Sequence, residues 1–411
     1  MKRILPFALV LFYASALADP MVPLKTRGTK VYAGDKEFKE IGFNFYKAFR
    51  AYVDKGWDVP AGQGKRQAKK DLANLSRHGF KVVRVMGPFY PEEFYEVFFD
   101  DDPFRRAEKC LDYLTVLDEF LNDCQQLGIR VVFSLFWNNQ CLADLGHQSL
   151  HKAITDPDSL GYRRFMEYSM TIAWFCRSRP GVTLEIGNEY SLSADLKAVP
   201  EWAVSGTLIN LPKKDIGYVY RGPDNNFNSH ELAVFFHRAI KSIKKVNPNI
   251  LVVTGNAEPR PEAMRLLSIV TGGPTRVRIE DTLAEHEESL ALLNQDADLI
   301  SSHLYVNEKI GSAWYMGAAE RLGKPLFMGE VGPHFERAGG KFIKADYTDP
   351  GVIKDVARKS KDLVNAGVPI SLWWAYDCSE GKDLAFKLCY GKTDKALKII
   401  EKSNHQIKKR H

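Results

Sequence analysis

Residues 182–190 read Val182-Thr183-Leu184-Glu185-Ile186-Gly187-Asn188-Glu189-Tyr190, a short aliphatic run that breaks at a glycine into an Asn-Glu pair. A run of four to eight residues rich in β-branched and aliphatic side chains, bounded by turn residues, reads as a strand buried on both faces. Residues 325–332, Pro325-Leu326-Phe327-Met328-Gly329-Glu330-Val331-Gly332, show the same form and again deliver a glutamate at the point of exit. Working outward from these two, six more such runs emerge, giving eight: Glu40–Tyr46, Lys81–Met86, Arg130–Leu135, Val182–Gly187, Ile250–Thr254, Leu299–Leu304, Pro325–Gly329 and Pro369–Trp374. Between them lie amphipathic stretches at Lys65–His78, Phe104–Leu127, Tyr162–Arg177, Glu231–Val246, Glu280–Leu293, Ala313–Leu322 and Val352–Ala366. Gly79, Gly128, Pro180, Gly323 and Gly367 each fall where a helix should stop before the next strand. Alternating strands and helices imply a parallel sheet of the α/β class. A closed TIM (β/α)8 barrel and an open doubly wound sheet share this alternation. The polar residues decide between them, because they sit at the C-terminal ends of most strands and not at one crevice, as barrel sites do.

The chain has 411 residues, a length that suits one barrel with long loops. Lys2 and Arg3, the apolar run Leu5–Leu17 and the small residues Ala16-Leu17-Ala18 have the form of an export signal. Residues 1–18 are therefore expected to be removed, leaving 19–411 as a single catalytic barrel, secreted or periplasmic. No later stretch approaches the roughly 20 apolar residues of a membrane span. A net charge of +6 gives no sign of a nucleic-acid partner, and the dense basic run Lys408-Lys409-Arg410 reads as a solvated tail. Six cysteines in an exported chain permit disulfides. Cys110 and Cys124 lie on one expected helix, roughly 21 Å apart at about 1.5 Å per residue, so they cannot pair with each other. Cys378 and Cys389 flank a short loop and are the expected pair, with reduced, buried cysteines as the alternative. The longest irregular stretch follows strand four, from Ser191 to Ser229, and carries Trp202, Tyr218, Tyr220, Arg221, Asn225 and Asn226. A loop that long in a compact domain reads as a lid or binding loop.

Glu189 and Glu330 end strands four and seven, which face each other across the mouth of an eight-stranded barrel. Two carboxyl groups so placed suit the hydrolysis of a glycosidic bond, where one protonates the leaving oxygen and the other meets the positive charge that develops at the anomeric carbon. At a separation of about 5 to 5.5 Å the second attacks directly and configuration is retained. The site must hold the two groups in different protonation states, and a cation beside Glu330 is expected to keep it ionised while Glu189 stays protonated.

With these residues the chain resembles the retaining glycosidases of clan A, and among them glycoside hydrolase family 5, over nearly all of its length from Gly42-Phe43-Asn44 to Trp374. The resemblance implies Glu189 as acid/base, Glu330 as nucleophile and Asn188 as a contact for the sugar 2-hydroxyl. It also implies that Arg84, in Val82-Val83-Arg84-Val85, lies beside the nucleophile, with Glu185 as the competing structural partner. His303 and Tyr305, in Ser302-His303-Leu304-Tyr305, match the family's strand-six His-x-Tyr, whose tyrosine hydrogen-bonds the nucleophile. Trp374 matches the strand-eight tryptophan that floors the sugar, with its neighbour Trp373 as the competitor.

Many members of that family carry a histidine at the end of strand three, where this chain reads Ser134-Leu135-Phe136-Trp137-Asn138-Asn139. An asparagine pair beside an aromatic is similar to the mannanase branch, making Trp137, Asn138 and Asn139 candidate sugar contacts. The expected function is a retaining β-glycosidase acting on a β-1,4-linked mannan- or glucan-type polysaccharide or oligosaccharide. A non-hydrolytic carbohydrate-binding barrel using Trp57, Trp137, Trp202 and Trp374 is the alternative from another class, and transglycosylation in polysaccharide remodelling needs the same residues. The chain contains no HExxH, no phosphate-binding glycine-rich loop and no cysteine pair at metal-ligand spacing, so neither cofactor nor metal is expected. Sugar identity, endo or exo action and oligomeric state are not written in the sequence.

Overall fold

The computed structural model describes residues 21–53, 63–88, 100, 102–137, 139–196, 225–273, 280–305, 310–333, 337–338, 341–342, 345–378 and 386–410. All eight expected strands form, as Glu40–Asn44, Val82–Met86, Arg130–Phe136, Val182–Gly187, Leu251–Val253, Ile300–Leu304, Leu326–Val331 and Ile370–Trp373. In chain order these are barrel strands one to eight. They pair in parallel in the order five, four, three, two, one, eight, seven, six. The two ends of that order meet through Asp298, whose amide donates to Val252 O at 2.9 Å and whose Oδ2 accepts from Val252 N at 2.7 Å. An open sheet would hold its edge strands apart, so the nearly closed ring decides for the barrel.

Every residue of the eight strands is buried. That explains why they read as unbroken apolar runs: one face packs into the barrel and the other against helices. The expected helices appear as Gln63–Arg77, Pro103–Gln126, Leu160–Phe175, Ser229–Val246, Leu283–Asn294, Ser312–Arg321 and Pro350–Ala366. Their starts are written in short polar side chains. Asn228 with Glu231 and Thr282 with Glu285 form reciprocal capping boxes, and Asp102, Ser159 and Asp349 accept backbone N–H groups that the first turn leaves unpaired.

Beneath the barrel, the strands Leu24–Arg27, Lys30–Ala33 and Lys36–Glu37 form an antiparallel sheet. Leu24 and Val31 join Val82, Val132, Leu251, Val253 and Phe327 in an apolar cluster there. A final helix, Asp394–Lys409, packs Ala396, Leu397, Ile400 and Ile407 into the main core. This amends the reading of residues 408–410 as a solvated tail: Lys409 and Arg410 are exposed, but Lys408 is partly buried and both Lys408 and Arg410 are anchored. Lys408 Nζ lies 2.7 Å from Oε2 of buried Glu40 and donates to Gly79 O at 2.7 Å, and Arg410 donates to Val364 O at 2.8 Å. Burial raises the Glu40 carboxyl above its usual range while Lys408 opposes the rise.

Cys378 and Cys389 form the expected disulfide, whereas Cys110, Cys124, Cys141 and Cys176 are free and buried. Burial pushes the Cys110 thiol up to about 11 and the Cys176 thiol to about 12, so both stay protonated. Of the long stretch after strand four, Trp202, Tyr218, Tyr220 and Arg221 lie outside the described residues, as do the expected signal 1–18 and Trp57. Asn225 is described and accepts from Leu150 N at 2.8 Å. No helix of the described residues is long and apolar enough to cross a membrane.

Candidate active site

Strand four ends at Gly187, and two residues later Glu189 adopts φ 55° and ψ 30°, the left-handed region. A non-glycine residue held there costs on the order of 1–3 kcal/mol, and such strain clusters at working sites. The turn is braced from strand five, where Gly255 O accepts the Glu189 amide at 2.8 Å. Gly255 itself has φ +76°, and a Cβ there would lie 1.8 Å from Gly187 O, so only glycine lets the two strand ends approach.

On strand seven the pairing register shifts between Met328 and Glu330 against strand six, and between Met328 and Val331 against strand eight. This irregularity carries the strand two residues beyond the expected Gly329. A bulge re-aims the side chain that follows it. It places Glu330 opposite His303 in the register.

Arg84, fully buried on strand two, links the site together. Its Nε donates to both Glu185 oxygens at 2.9 Å and its NH2 to Glu185 Oε1 at 2.6 Å. NH1 donates to Glu330 Oε1 at 2.8 Å and to Asn44 Oδ1 at 2.8 Å, and NH2 also reaches Asn188 Oδ1 at 2.6 Å. The sequence posed Glu330 and Glu185 as competing partners, and the guanidinium holds both. Burial alone would weaken its protonation, but the two carboxylates outweigh that and raise its pKa. Removing one partner from a buried pair of this kind costs about 3–5 kcal/mol. The bond to Arg84 also turns the Asn188 amide so that its NH2 edge points away from the guanidinium.

From strand six, His303 places Nδ1 2.8 Å from Glu189 Oε1 and 3.7 Å from Glu330 Oε2. Burial pushes its pKa down to about 4, so the imidazole is neutral at neutral pH. Tyr305 donates its hydroxyl to Glu330 Oε2 at 2.5 Å. Gly332 makes room for that ring, since a Cβ there would lie 2.1 Å from Tyr305 Cε1. The Glu189 side chain keeps 25% of its surface open at the mouth, against 5% for Glu330. Burial raises Glu189 to about 7, with Arg84 opposing. Burial raises Glu330 as well, and Arg84 and the Tyr305 hydrogen bond pull it back. The expected cation does stand beside Glu330, but it offsets the desolvation only in part, since the carboxyl stays above its usual range. Both donors to Glu330 favour its charged form, which biases the proton of the coupled pair toward Glu189.

Trp373 is completely buried in the core, while Trp374 is half-buried at the barrel mouth. The peptide that follows Trp374 is cis, and Tyr347 donates its hydroxyl to Trp374 O. Trp374 stacks on Tyr46 at 5.1 Å between ring centroids, and Trp137 lies 5.8 Å from Trp374 and 5.9 Å from Tyr46. Asn139 is buried and Asn138 lies outside the described residues.

Sequence reasoning did not give Asn44, Tyr46 or Lys359 a place in the site. Asn44 ties Arg84 to Gly329 O, where its Nδ2 donates at 2.9 Å. Lys359 Nζ donates to Tyr305 O and Gly332 O, each at 2.6 Å, pinning the ends of strands six and seven together. The signal for the last of these was a lysine at helical spacing between Val356 and Leu363, on the apolar stripe of its helix.

One ligand atom each from Glu189, His303 and Glu330 lies within 4.8 Å of the others. A metal ion would fit that spacing, but the Arg84 charge 2.8 Å from Glu330 opposes a second cation there.

No family model and no curated protein matches the sequence. Solved structures do resemble the fold. The endo-1,4-β-mannanase of Rhizomucor miehei superposes with a TM-score of 0.61 at 13% identity, over 94% of this chain and 100% of that one. A glycoside hydrolase family 5 mannosidase from the same organism gives 0.59 at 13% identity, over 95% and 99%. The β-mannanase of the blue mussel Mytilus edulis gives 0.55 at 14% identity, over 95% and 97%. At such identities the likeness shows architecture: this chain is a (β/α)8 barrel of the form those enzymes share.

Proposed function

We propose that this chain is a retaining β-glycosidase of the family 5 type, cleaving a β-1,4-linked mannan- or glucan-type polysaccharide or oligosaccharide by double displacement. The observation that carries the reading is the convergence of Glu189 and Glu330, whose nearest oxygens fall within 4.8 Å of each other and of His303 Nδ1. Retaining enzymes hold their carboxyls about 5–5.5 Å apart, whereas inverting enzymes leave roughly 6.5–9.5 Å for a water.

In the first step a Glu330 oxygen bonds to the anomeric carbon as the bond to the leaving oxygen breaks, and Glu189 passes its proton to that oxygen. In the second, Glu189 takes a proton from water, the water oxygen bonds to the anomeric carbon and Glu330 leaves. Arg84 and Tyr305 hold the nucleophile, and Asn188 offers its amide to the 2-hydroxyl. Trp374 floors the sugar, with Trp137 and Asn138 as further contacts. These steps call for no cofactor.

The likeness to mannanases supports mannan over glucan. The same proposal has residues 1–18 removed on export and 19–411 acting as one catalytic unit, in keeping with a Cys378–Cys389 disulfide of the kind that persists in oxidising compartments. The test is to incubate the purified protein with mannan, glucan and xylan oligosaccharides and follow the anomeric protons by NMR. The β-anomer of a mannan or glucan product should form first. A product of inverted configuration, or no product from any of the three, counts against the proposal.

A further inference from the structure

Glu185 lies within strand four, four residues before Glu189, with its side chain completely buried. It takes the guanidinium of Arg84 through Nε and NH2 at 2.6 to 2.9 Å, while Glu330 receives NH1 at 2.8 Å. The more extensive grip on Arg84 thus belongs to a carboxylate that no step of the cleavage uses. Orientation alone does not explain it, because the amides of Asn44 and Asn188 already accept from the same guanidinium. A buried carboxylate is also costly to desolvate, so what Glu185 adds beyond a neutral acceptor is its charge. The group has little freedom to move: a Cβ at Gly255 would lie 2.7 Å from Glu185 Cδ.

Without Glu185, the full charge of Arg84 would fall on Glu330 alone. That would stabilise the ionised nucleophile and make it less basic. We propose that Glu185 is a positioning residue that fixes Arg84 and divides its charge, keeping Glu330 basic enough to attack the anomeric carbon. The inference rests on the glycosidase reading above. The charged and titratable groups facing Glu330 are Arg84 from strand two, Glu189 from the turn after strand four, and His303 and Tyr305 from strand six, and Glu185 reaches it through Arg84.

The test is the pH dependence of kcat/KM on an activated aryl β-glycoside, with the wild-type protein as control. Absence of wild-type turnover defeats the glycosidase reading itself. Given turnover, Glu185→Gln removes a negative charge near Glu330 and should move the acidic limb to lower pH by about one unit. Its kcat should fall about 10-fold, the scale on which outer partners of a working side chain act. Glu185→Asp keeps the charge and should keep the wild-type limb while losing some kcat. An acidic limb that stays in place in Glu185→Gln, or shifts equally in Glu185→Asp, overturns the proposal. Should Glu185→Gln fail to fold, Glu185→Ala is read in its place, with the same expected shift of the limb to lower pH, and an unmoved limb overturns the proposal.

Discussion

The Tyr305 hydroxyl lies 2.5 Å from Glu330 Oε2, and burial raises its pKa well above the usual tyrosine range, so it remains a donor throughout the working pH range. A hydrogen bond to a charged acceptor contributes about 1.5–3 kcal/mol, or roughly 10- to 100-fold in rate. Tyr305→Phe should therefore lower kcat on an activated aryl glycoside by about that factor. Because the lost bond favoured ionised Glu330, the acidic limb should also move to higher pH. Steady-state kinetics across pH check both, and an unchanged profile would remove Tyr305 from the machinery.

The proposed acid is active when protonated. Burial holds Glu189 at about 7 instead of the ordinary carboxyl value, so it keeps its proton up to near neutrality and loses it above. Activity on a substrate with a poor leaving group should fall as pH rises through about 7. A pH–rate profile checks this; decline already complete by pH ~5, the range of an unshifted glutamate, would contradict the buried environment assigned to Glu189.

Replacing Glu189 by Ala removes the proposed proton donor but leaves Glu330, the proposed nucleophile. Poor leaving groups should slow by about 100- to 10,000-fold, while activated ones slow much less in forming the glycosyl-enzyme. Added azide should then restore turnover and yield a β-glycosyl azide, measurable by product NMR. Equal activity of variant and wild type on both substrate classes would refute the role.

The eight barrel strands were legible because each is buried on both faces and therefore apolar without interruption. The helices between them announced themselves through caps such as Asn228 with Glu231 and stops such as Gly367. What escaped has a physical reason in each case. The strands 24–27, 30–33 and 36–37 are too short for periodicity to register, and Gly28 and Gly34, both at positive φ, were their only punctuation. The last helix was obscured by its basic end, although Ala396, Leu397, Ile400 and Ile407 recur at helical spacing. At the site, the side chains on strand ends could be placed at the mouth, but not their partners. That Arg84 binds Glu185, Glu330, Asn44 and Asn188 together depends on how four strands converge. The raised pKa of Glu330 depends on burial that no local pattern encodes. Tyr46 meets Trp137 and Trp374 only because strands one, three and eight gather at one side of the mouth.

The most direct measurement is turnover of an activated aryl β-glycoside by Glu330→Gln, which keeps the shape of the side chain but cannot form the glycosyl-enzyme. Rate should fall by about 1,000-fold or more, with the fold unchanged by circular dichroism and thermal melting. Full activity in a folded Glu330→Gln protein would contradict the assignment of Glu330 as nucleophile, and with it the retaining mechanism.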